Sequence, residues 1–209
     1  MAQKNKLNLH LLNRYNDFYK LFQSGVNFCA FDTETTGLKP STERLIEIGA
    51  VKFNKDGILG SMGTLINPGI PIPARATEIN HITDQMVSDS PTEAEVIPQF
   101  LEFSKDTILV AHNAQFDLRF VNSVLERQEK PILPNKAIDT LIFSRWVLPD
   151  NEHWTQVFLA QQLGIEVRDA HRATDDARVC MELFIKLAEI SKNYPKNWSR
   201  IIAKKRKQC

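Results

Sequence analysis

Three β-rich runs follow one another early in the chain, and strand and helix patterns alternate after them. The runs cover residues 27–37 (NFCAFDTETTG), 44–53 (RLIEIGAVKF) and 60–68 (GSMGTLINP), with the turn sequence NKDG before the third. The next strand pattern, at 107–110, leads through a short turn into a helical pattern. This order predicts one α/β domain with a central mixed sheet flanked by helices.

Helical spacing of apolar residues marks most of the remaining segments. A stripe at 11–22 predicts a leading helix, and a second stripe at 91–106 contains Pro98, which is expected to kink or interrupt it. A loop is predicted at 68–74, and further helices are predicted at 138–147, 154–163 and 174–190. The chain is thus expected to comprise an N-terminal amphipathic helix within 1–25, a main domain over 26–190 and a basic tail over 191–209.

Composition narrows the class of protein. The chain has 209 residues, enough for one domain with a buried core, and its net charge of +1 gives no reason to predict broad duplex binding. Cys29, Cys180 and Cys209 lie far apart and form no zinc spacing, which favours a reduced, cytoplasmic compartment. No run approaches the ~18 apolar residues of a membrane span, so we expect no membrane partner.

Two acids end the first strand. Asp32 and Glu34 are two residues apart, and side chains at this spacing point to the same face of a strand. Paired carboxylates repel each other and are costly to desolvate, and a divalent cation offsets both effects. A simple turn with solvated acids is the alternative interpretation.

Helical phasing predicts that two further acids face the sheet. At about 100° per residue, Asp117 falls inside the apolar arc of its helix. In the last helix, Asp176 falls at the edge of the buried stripe, whereas Asp175 falls opposite it and is expected to be solvated. Asp117 also fits a helix-start acid favoured by the helix dipole. His171 precedes the last helix, where a lone histidine is more often an ordinary surface residue than a catalyst.

Four acids near the ends of elements around one sheet suit magnesium or manganese rather than zinc. Two such ions would stabilise the attacking and leaving oxygens of a phosphodiester cleavage. The predicted metal-binding acids are Asp32, Glu34, Asp117 and Asp176.

The sequence resembles the DEDDh group of 3′→5′ exonucleases, which belongs to the ribonuclease H-like superfamily. The motifs FDTETTG, IEIGAV, INHIT, VAHNAQFD, IDT and HRATDDA occur in order and span roughly residues 26–190. His171 lies five positions before Asp176, and Arg172 stands where a sister subgroup has tyrosine. Within the family, the similarity is greatest to the proofreading exonucleases of bacterial DNA polymerase III.

The resemblance implies a ribonuclease H-like exonuclease fold over 26–190 and a site holding two Mg²⁺ or Mn²⁺ ions. It implies that His171 takes a proton from the attacking water and that a nucleoside 5′-monophosphate leaves. The catalytic residues would be Asp32, Glu34, Asp117, His171 and Asp176. The residues expected to contact the terminal nucleotide are Thr35, Thr36, Gly37, Ile79, Ile82 and Asn113.

The resemblance leaves the substrate and partners open. A single-stranded DNA 3′-end is favoured, with a DNA polymerase subunit as a possible partner. The alternatives are a stand-alone exonuclease acting on RNA or oligonucleotides and a non-catalytic nucleic-acid-binding module. The complete acid set argues against the binding module, because a scaffold has no need for costly clustered carboxylates.

Overall fold

The computed structural model describes residues 10–205, with side chains to residue 203. Five strands form one mixed sheet. Strands β1 (Phe28–Thr35), β2 (Leu45–Asn54) and β3 (Gly57–Leu65) form an antiparallel meander, and β4 (Ile108–Ala111) and β5 (Ala137–Asp139) pair parallel on the other side of β1. The strand order is β3-β2-β1-β4-β5, which confirms the predicted mixed sheet.

Nine α-helices flank this sheet in the described residues, and the long helices predicted from the sequence are among them. Their bounds are α1 (Phe18–Gln23), α2 (Ala74–Asn80), α3 (Asp84–Val87), α4 (Glu93–Phe103), α5 (Gln115–Arg127), α6 (Thr140–Val147), α7 (Gln156–Leu163), α8 (Ala173–Ser191) and α9 (Trp198–Lys205). None of the described helices is long and apolar enough to cross a membrane.

The two faces of the sheet carry different helices. Alternate residues of β1 point to opposite faces, so Phe28 and Ala30 join one apolar cluster and Cys29 and Phe31 join another. The first cluster contains buried residues of α1, α6, α7 and α8. The second contains those of α4 and α5. Asp32 and Glu34 continue the alternation of Phe28 and Ala30, so they emerge on the α8 face.

The structure corrects several local predictions. The segment before α1 is not helical at Leu11 and Leu12, because the backbone pairs with Ala137 of β5. Strand β5 also takes the first two residues of the helix predicted at 138–147, which begins instead at Thr140. Helix α4 runs through Pro98 without the interruption that was one of the two predicted outcomes, and a capping box between Thr92 and Glu95 supports its start.

The first part of the predicted basic tail folds onto the domain. Helix α9 places Ile202, only 4% exposed, in the α8-side cluster. The Trp198 indole donates to the backbone oxygen of Trp146 at 3.0 Å, and the Trp146 indole donates to Ser199 at 2.9 Å. Residues 1–9 of the predicted N-terminal segment (1–25) and residues 206–209 of the tail lie outside the described residues.

Candidate active site

Strand β1 holds the first two predicted acids near its carboxyl end. Asp32 pairs across the ladder with Gly49 and Glu34 with Glu47. Burial and the charges of Asp117, Asp176, Glu34 and Glu47 raise the pKa of Asp32 well above its usual range. Burial, followed by the charges of Asp176 and Glu47, raises the pKa of Glu34 to about 8. This strand end therefore concentrates negative charge where solvent is scarce.

The start of α8 brings His171 and Asp176 to the same place. Potential ligand atoms of Glu34, His171 and Asp176 all lie within 4.8 Å of one another. The His171 backbone N–H donates to Asp176 Oδ2 at 2.9 Å, in a left-handed conformation with φ 64°. Burial raises the pKa of Asp176, and hydrogen bonds from His171 and Gln156 oppose that rise.

Asp117 reaches the site from the other face of the sheet. Its carboxylate is 2% exposed and accepts hydrogen bonds from the Thr33 backbone at 3.1 Å and the Thr33 hydroxyl at 2.7 Å. Burial raises the pKa of Asp117 to about 7, although the Thr33 donors counteract part of the shift. Of the neighbouring charges, that of Asp117 raises the pKa of Asp32 most, followed by those of Asp176 and Glu34. The four predicted acids therefore lie close enough to act on one another.

Asp175 differs from its prediction as a solvated acid. Its side chain is only 11% exposed. It accepts from the backbone N–H groups of Arg168 at 2.8 Å and Asp169 at 3.0 Å, and Arg178 Nε donates to it at 2.8 Å. Helical phasing describes the helix alone, and here the loop before α8 folds back over its outer face.

Glu47 has a larger part than the sequence suggests. It is 3% exposed, and its carboxylate accepts from Arg172 Nη2 at 2.9 Å and from the Ala173 backbone N–H at 3.1 Å. These contacts tie β2 to the start of α8. An acid inside the apolar run LIEIGAV is the signal for a buried partner, but it does not identify Arg172.

The INHIT segment contributes a different side chain from those predicted. Ile82 is fully buried among Ile46, Ile72 and neighbouring apolar residues, so its expected contact with substrate is wrong. Ile79 is 53% exposed and remains available to a ligand. The side-chain amide of the buried Asn80, a residue that the sequence does not single out, opposes the burial-driven rise in the pKa of Glu34.

The hydroxyls of Thr35 and Thr36, at the end of β1, donate hydrogen bonds to other groups of the protein. Thr35 Oγ1 donates to the backbone oxygen of Gly37 at 2.7 Å, and Thr36 Oγ1 donates to Glu43 Oε2 at 2.7 Å. A Cβ atom on Gly37 would lie 2.9 Å from the Glu43 side chain. These contacts show a turn stabilised by threonine hydroxyls and leave substrate contact at these residues a prediction.

The HN pair after β4 has one half-buried and one exposed member. His112 bonds through Nδ1 with the Thr140 hydroxyl at 3.0 Å, and its Nε2 donates to the backbone oxygen of Trp154 at 2.9 Å. Burial lowers the pKa of His112 to about 4, which fits a neutral, structural ring. Asn113 is exposed with φ 65°, and its backbone N–H is directed at the Asp139 carboxylate.

The donor set fits a hard divalent cation. Carboxylate oxygens from three elements converge there, and their raised pKa values show that negative charge is poorly compensated by the protein itself. Oxygen-rich sites of this kind favour Mg²⁺ or Mn²⁺ over softer metals.

The sequence is similar to those of known nucleases and polymerase subunits. A family model described as Exonuclease (RNase_T) matches residues 29–184. The DNA polymerase III subunit epsilon of Treponema pallidum is 48% identical over 161 residues, which is 76% of this chain and 75% of that protein. The PolC-type DNA polymerase III of Caldanaerobacter subterraneus is 40% identical over 162 residues, covering 78% of this chain but only 12% of that longer protein.

Solved structures show the same fold. Exonuclease X in complex with 5′-overhanging duplex DNA matches with a TM-score of 0.65 and 26% identity, over 84% of this chain and 98% of that one. The E. coli exonuclease I complex with a dT13 oligonucleotide matches with a TM-score of 0.70 and 19% identity, over 78% of this chain and 41% of that one.

Proposed function

This chain belongs to the exonuclease family and is a 3′→5′ exonuclease, and we propose that it acts on single-stranded DNA 3′-ends. The observation that carries the proposal is the convergence of Glu34, His171 and Asp176 within 4.8 Å beside Asp32. Water would add its oxygen to the terminal phosphorus, and the bond to the penultimate 3′-oxygen would break. A nucleoside 5′-monophosphate would leave.

The proposed cofactor is a pair of Mg²⁺ or Mn²⁺ ions held by Asp32, Glu34, Asp117 and Asp176. Bound ions of this kind lower the pKa of water and stabilise the attacking and leaving oxygens. The protein's part is to hold four carboxylates close together despite their repulsion. The Thr33 donors orient Asp117, and the Gln156 amide donates to Asp176 Oδ1 at 2.8 Å.

His171 is the proposed general base. Its ring is exposed at the mouth of the acidic cluster, where it can meet a water molecule and afterwards release the proton to solvent. Its backbone N–H donates a hydrogen bond to Asp176, and its backbone is left-handed. Together these two features fix the position of its Cα atom, from which the ring extends. Nearby, the exposed Ile79 and Asn113 and the backbone around Gly37 are the proposed contacts to the terminal nucleotide.

We further propose a proofreading role beside a bacterial replicative polymerase in the cytoplasm. The support is the similarity to the epsilon subunit and to PolC-type polymerases. Co-purification of a polymerase subunit with the native protein is the expected result. A protein recovered alone under conditions that preserve polymerase assemblies contradicts this role without affecting the exonuclease activity.

The substrate is tested with 5′-labelled DNA and RNA oligonucleotides of matched sequence in Mg²⁺. We expect stepwise shortening from the 3′-end, faster on DNA, and no shortening by Asp32→Ala. Glu102→Ala, which removes an exposed acid on α4, is the matched control and should retain full activity. Faster digestion of RNA would support the stand-alone RNA alternative. Equal activity of Asp32→Ala and the wild type would refute the site.

A further inference from the structure

The first turn of α8 rests directly on the sheet at two glycines. A Cβ atom on Gly49 would lie 2.2 Å from the backbone carbon of Ala173 and 2.3 Å from the backbone nitrogen of Thr174. A Cβ atom on Gly63 would lie 2.1 Å from Thr174 Oγ1. Any side chain at either glycine therefore meets the beginning of this helix.

These glycines continue the row of residues that starts at Asp32. Gly49 is the ladder partner of Asp32 on β1, and Gly63 is the ladder partner of Gly49 on β3. Directly opposed residues of antiparallel strands point to the same face, so the row lies beneath the start of α8. Neither glycine has a positive φ, so the close approach, and not backbone freedom, is what requires them.

Glu47 anchors the same turn from the side. Its carboxylate accepts hydrogen bonds from Nε and Nη2 of the Arg172 guanidinium and from the Ala173 backbone N–H. Arg172 precedes the helix, and its side chain makes no capping hydrogen bond to the first turn. Glu47 thus supplies from β2 the acceptor that helix starts ordinarily find locally, and it holds the turn against the glycines.

The position of this turn on the sheet determines where the side chains of His171 and Asp176 lie. His171 lies two residues before Ala173 and Asp176 three residues after it, within one helical turn. Moving Ala173 from 2.2 Å to an ordinary contact with a Cβ atom requires a shift of roughly 1–2 Å. A displacement of this size at a catalytic constellation can cost on the order of 10²-fold in rate.

We propose that Glu47, Gly49 and Gly63 are positioning residues that set the distance of Asp176 and His171 from Asp32 and Glu34. They act through the first turn of α8 and have no contact with substrate themselves. The proposal rests on the proposed exonuclease function and deepens it. It assigns the IEIGAV motif a role in the geometry of the metal site.

The test compares alanine at three glycines of adjacent strands. Gly49→Ala meets helix backbone, so only movement of α8 relieves the clash. Gly63→Ala meets the Thr174 side chain, and rotation of that side chain still leaves its Cβ at 3.3 Å. Gly60→Ala on β3 makes only an ordinary 3.6 Å contact with Phe103 and is the matched control.

Each folded variant is measured for Mn²⁺ affinity by calorimetry without DNA, and for kcat and KM on a single-stranded DNA. Gly49→Ala should lower kcat on the order of 10²-fold with little change in KM. Its Mn²⁺ affinity, like that of Glu47→Gln, should fall about tenfold or more. Gly63→Ala should show a smaller loss of both, and Gly60→Ala should stay within about twofold of the wild type.

Rescue separates positioning from general damage. Thr174→Ala removes the Oγ1 atom, so the double variant Gly63→Ala/Thr174→Ala should regain most of the Mn²⁺ affinity and kcat lost by Gly63→Ala. The same Thr174 change cannot rescue Gly49→Ala, because that clash is with backbone.

Three results overturn the proposal. They are wild-type affinity and rate in folded Gly49→Ala, an equal loss in Gly60→Ala and Gly63→Ala, and no recovery in the folded double variant. If Gly49→Ala does not fold, the Gly63 series decides alone. A wild-type protein that binds Mn²⁺ but releases no mononucleotide refutes the proposed function, and the affinities still decide the positioning role.

Discussion

Two groups of buried and half-buried acids lie within this domain, and their surroundings differ. At the start of α6, the Asp139 carboxylate accepts from the backbone N–H groups of Leu141 at 2.9 Å and Ile142 at 3.2 Å. At the start of α8, burial alone would raise the pKa of Asp175, but two backbone N–H groups and Arg178 outweigh it and lower the pKa. These acids have donors from the protein itself.

The acids at the end of β1 are arranged in the opposite way. The charged neighbours that act on Asp32 are four other carboxylates, and burial and these charges all raise its pKa. The Asn80 amide lowers the pKa of Glu34, but burial and the charges of Asp176 and Glu47 outweigh it and raise this pKa to about 8. The contrast distinguishes acids that have hydrogen-bond donors within the protein from the acids that we propose hold a divalent cation.

Removing one acid of the β1 group should break this contrast most strongly. Asp32→Asn is expected to lower mononucleotide release on the order of 10³-fold or more, because a metal ligand is lost. The same change should stabilise the metal-free protein at pH 8, since it removes buried charge repulsion. Oligonucleotide digestion and thermal unfolding in EDTA measure the two effects. A metal-free variant less stable than the wild type would argue against the repulsion.

The pH dependence of metal-free stability should sharpen the contrast next. The folded protein holds a proton on Glu34 up to pH about 8, whereas the unfolded chain loses it near the usual value of 4.5. Between these values the folded state binds more protons, so stability should fall as the pH rises, on the order of 1 kcal/mol per pH unit. Urea unfolding from pH 5 to 8 measures the slope. Saturating Mg²⁺ should reduce it, and an unchanged slope contradicts metal binding at these acids.

Asp139→Ala tests the donor-rich group. The substitution removes the cap of α6 and leaves the backbone N–H groups of Leu141 and Ile142 without their acceptor. We therefore expect the free energy of unfolding to fall by about 2–3 kcal/mol. Chemical denaturation measures it. Residual activity of the folded fraction should remain well above that of Asp32→Asn. Stability equal to the wild type would show that this carboxylate is not structural.

Asp175→Ala should have the smallest effect of the four. Loss of the contacts to the 168–169 backbone and to Arg178 should cost about 1–2 kcal/mol. Activity should fall less than tenfold, because the loop leads to His171 but Asp175 does not face the acid cluster. Steady-state kinetics beside Asp176→Ala provide the comparison, and equal losses in both variants would contradict the separate roles of these neighbours.

Local periodicity correctly predicted the extent of α8 and the shared face of two acids on β1. The spacing along 174–190 predicts both α8, observed at Ala173–Ser191, and the inward direction of Asp176. The alternation along the first strand likewise predicts that Asp32 and Glu34 share a face. Both properties follow from the spacing of residues close together in the chain, so they depend little on the other elements of the domain.

What the sequence by itself determined was the mixed α/β fold and the convergence of four acids near one strand end. Only the tertiary structure decided which acids find donors. The Glu47 carboxylate meets the backbone N–H of Ala173 from 126 positions away, and the loop before α8 covers Asp175. Ile82 was similarly buried by residues of β2 and the loop before α2. Periodicity records which way a side chain points from its own element, but burial and hydrogen bonding depend on what another element places opposite it.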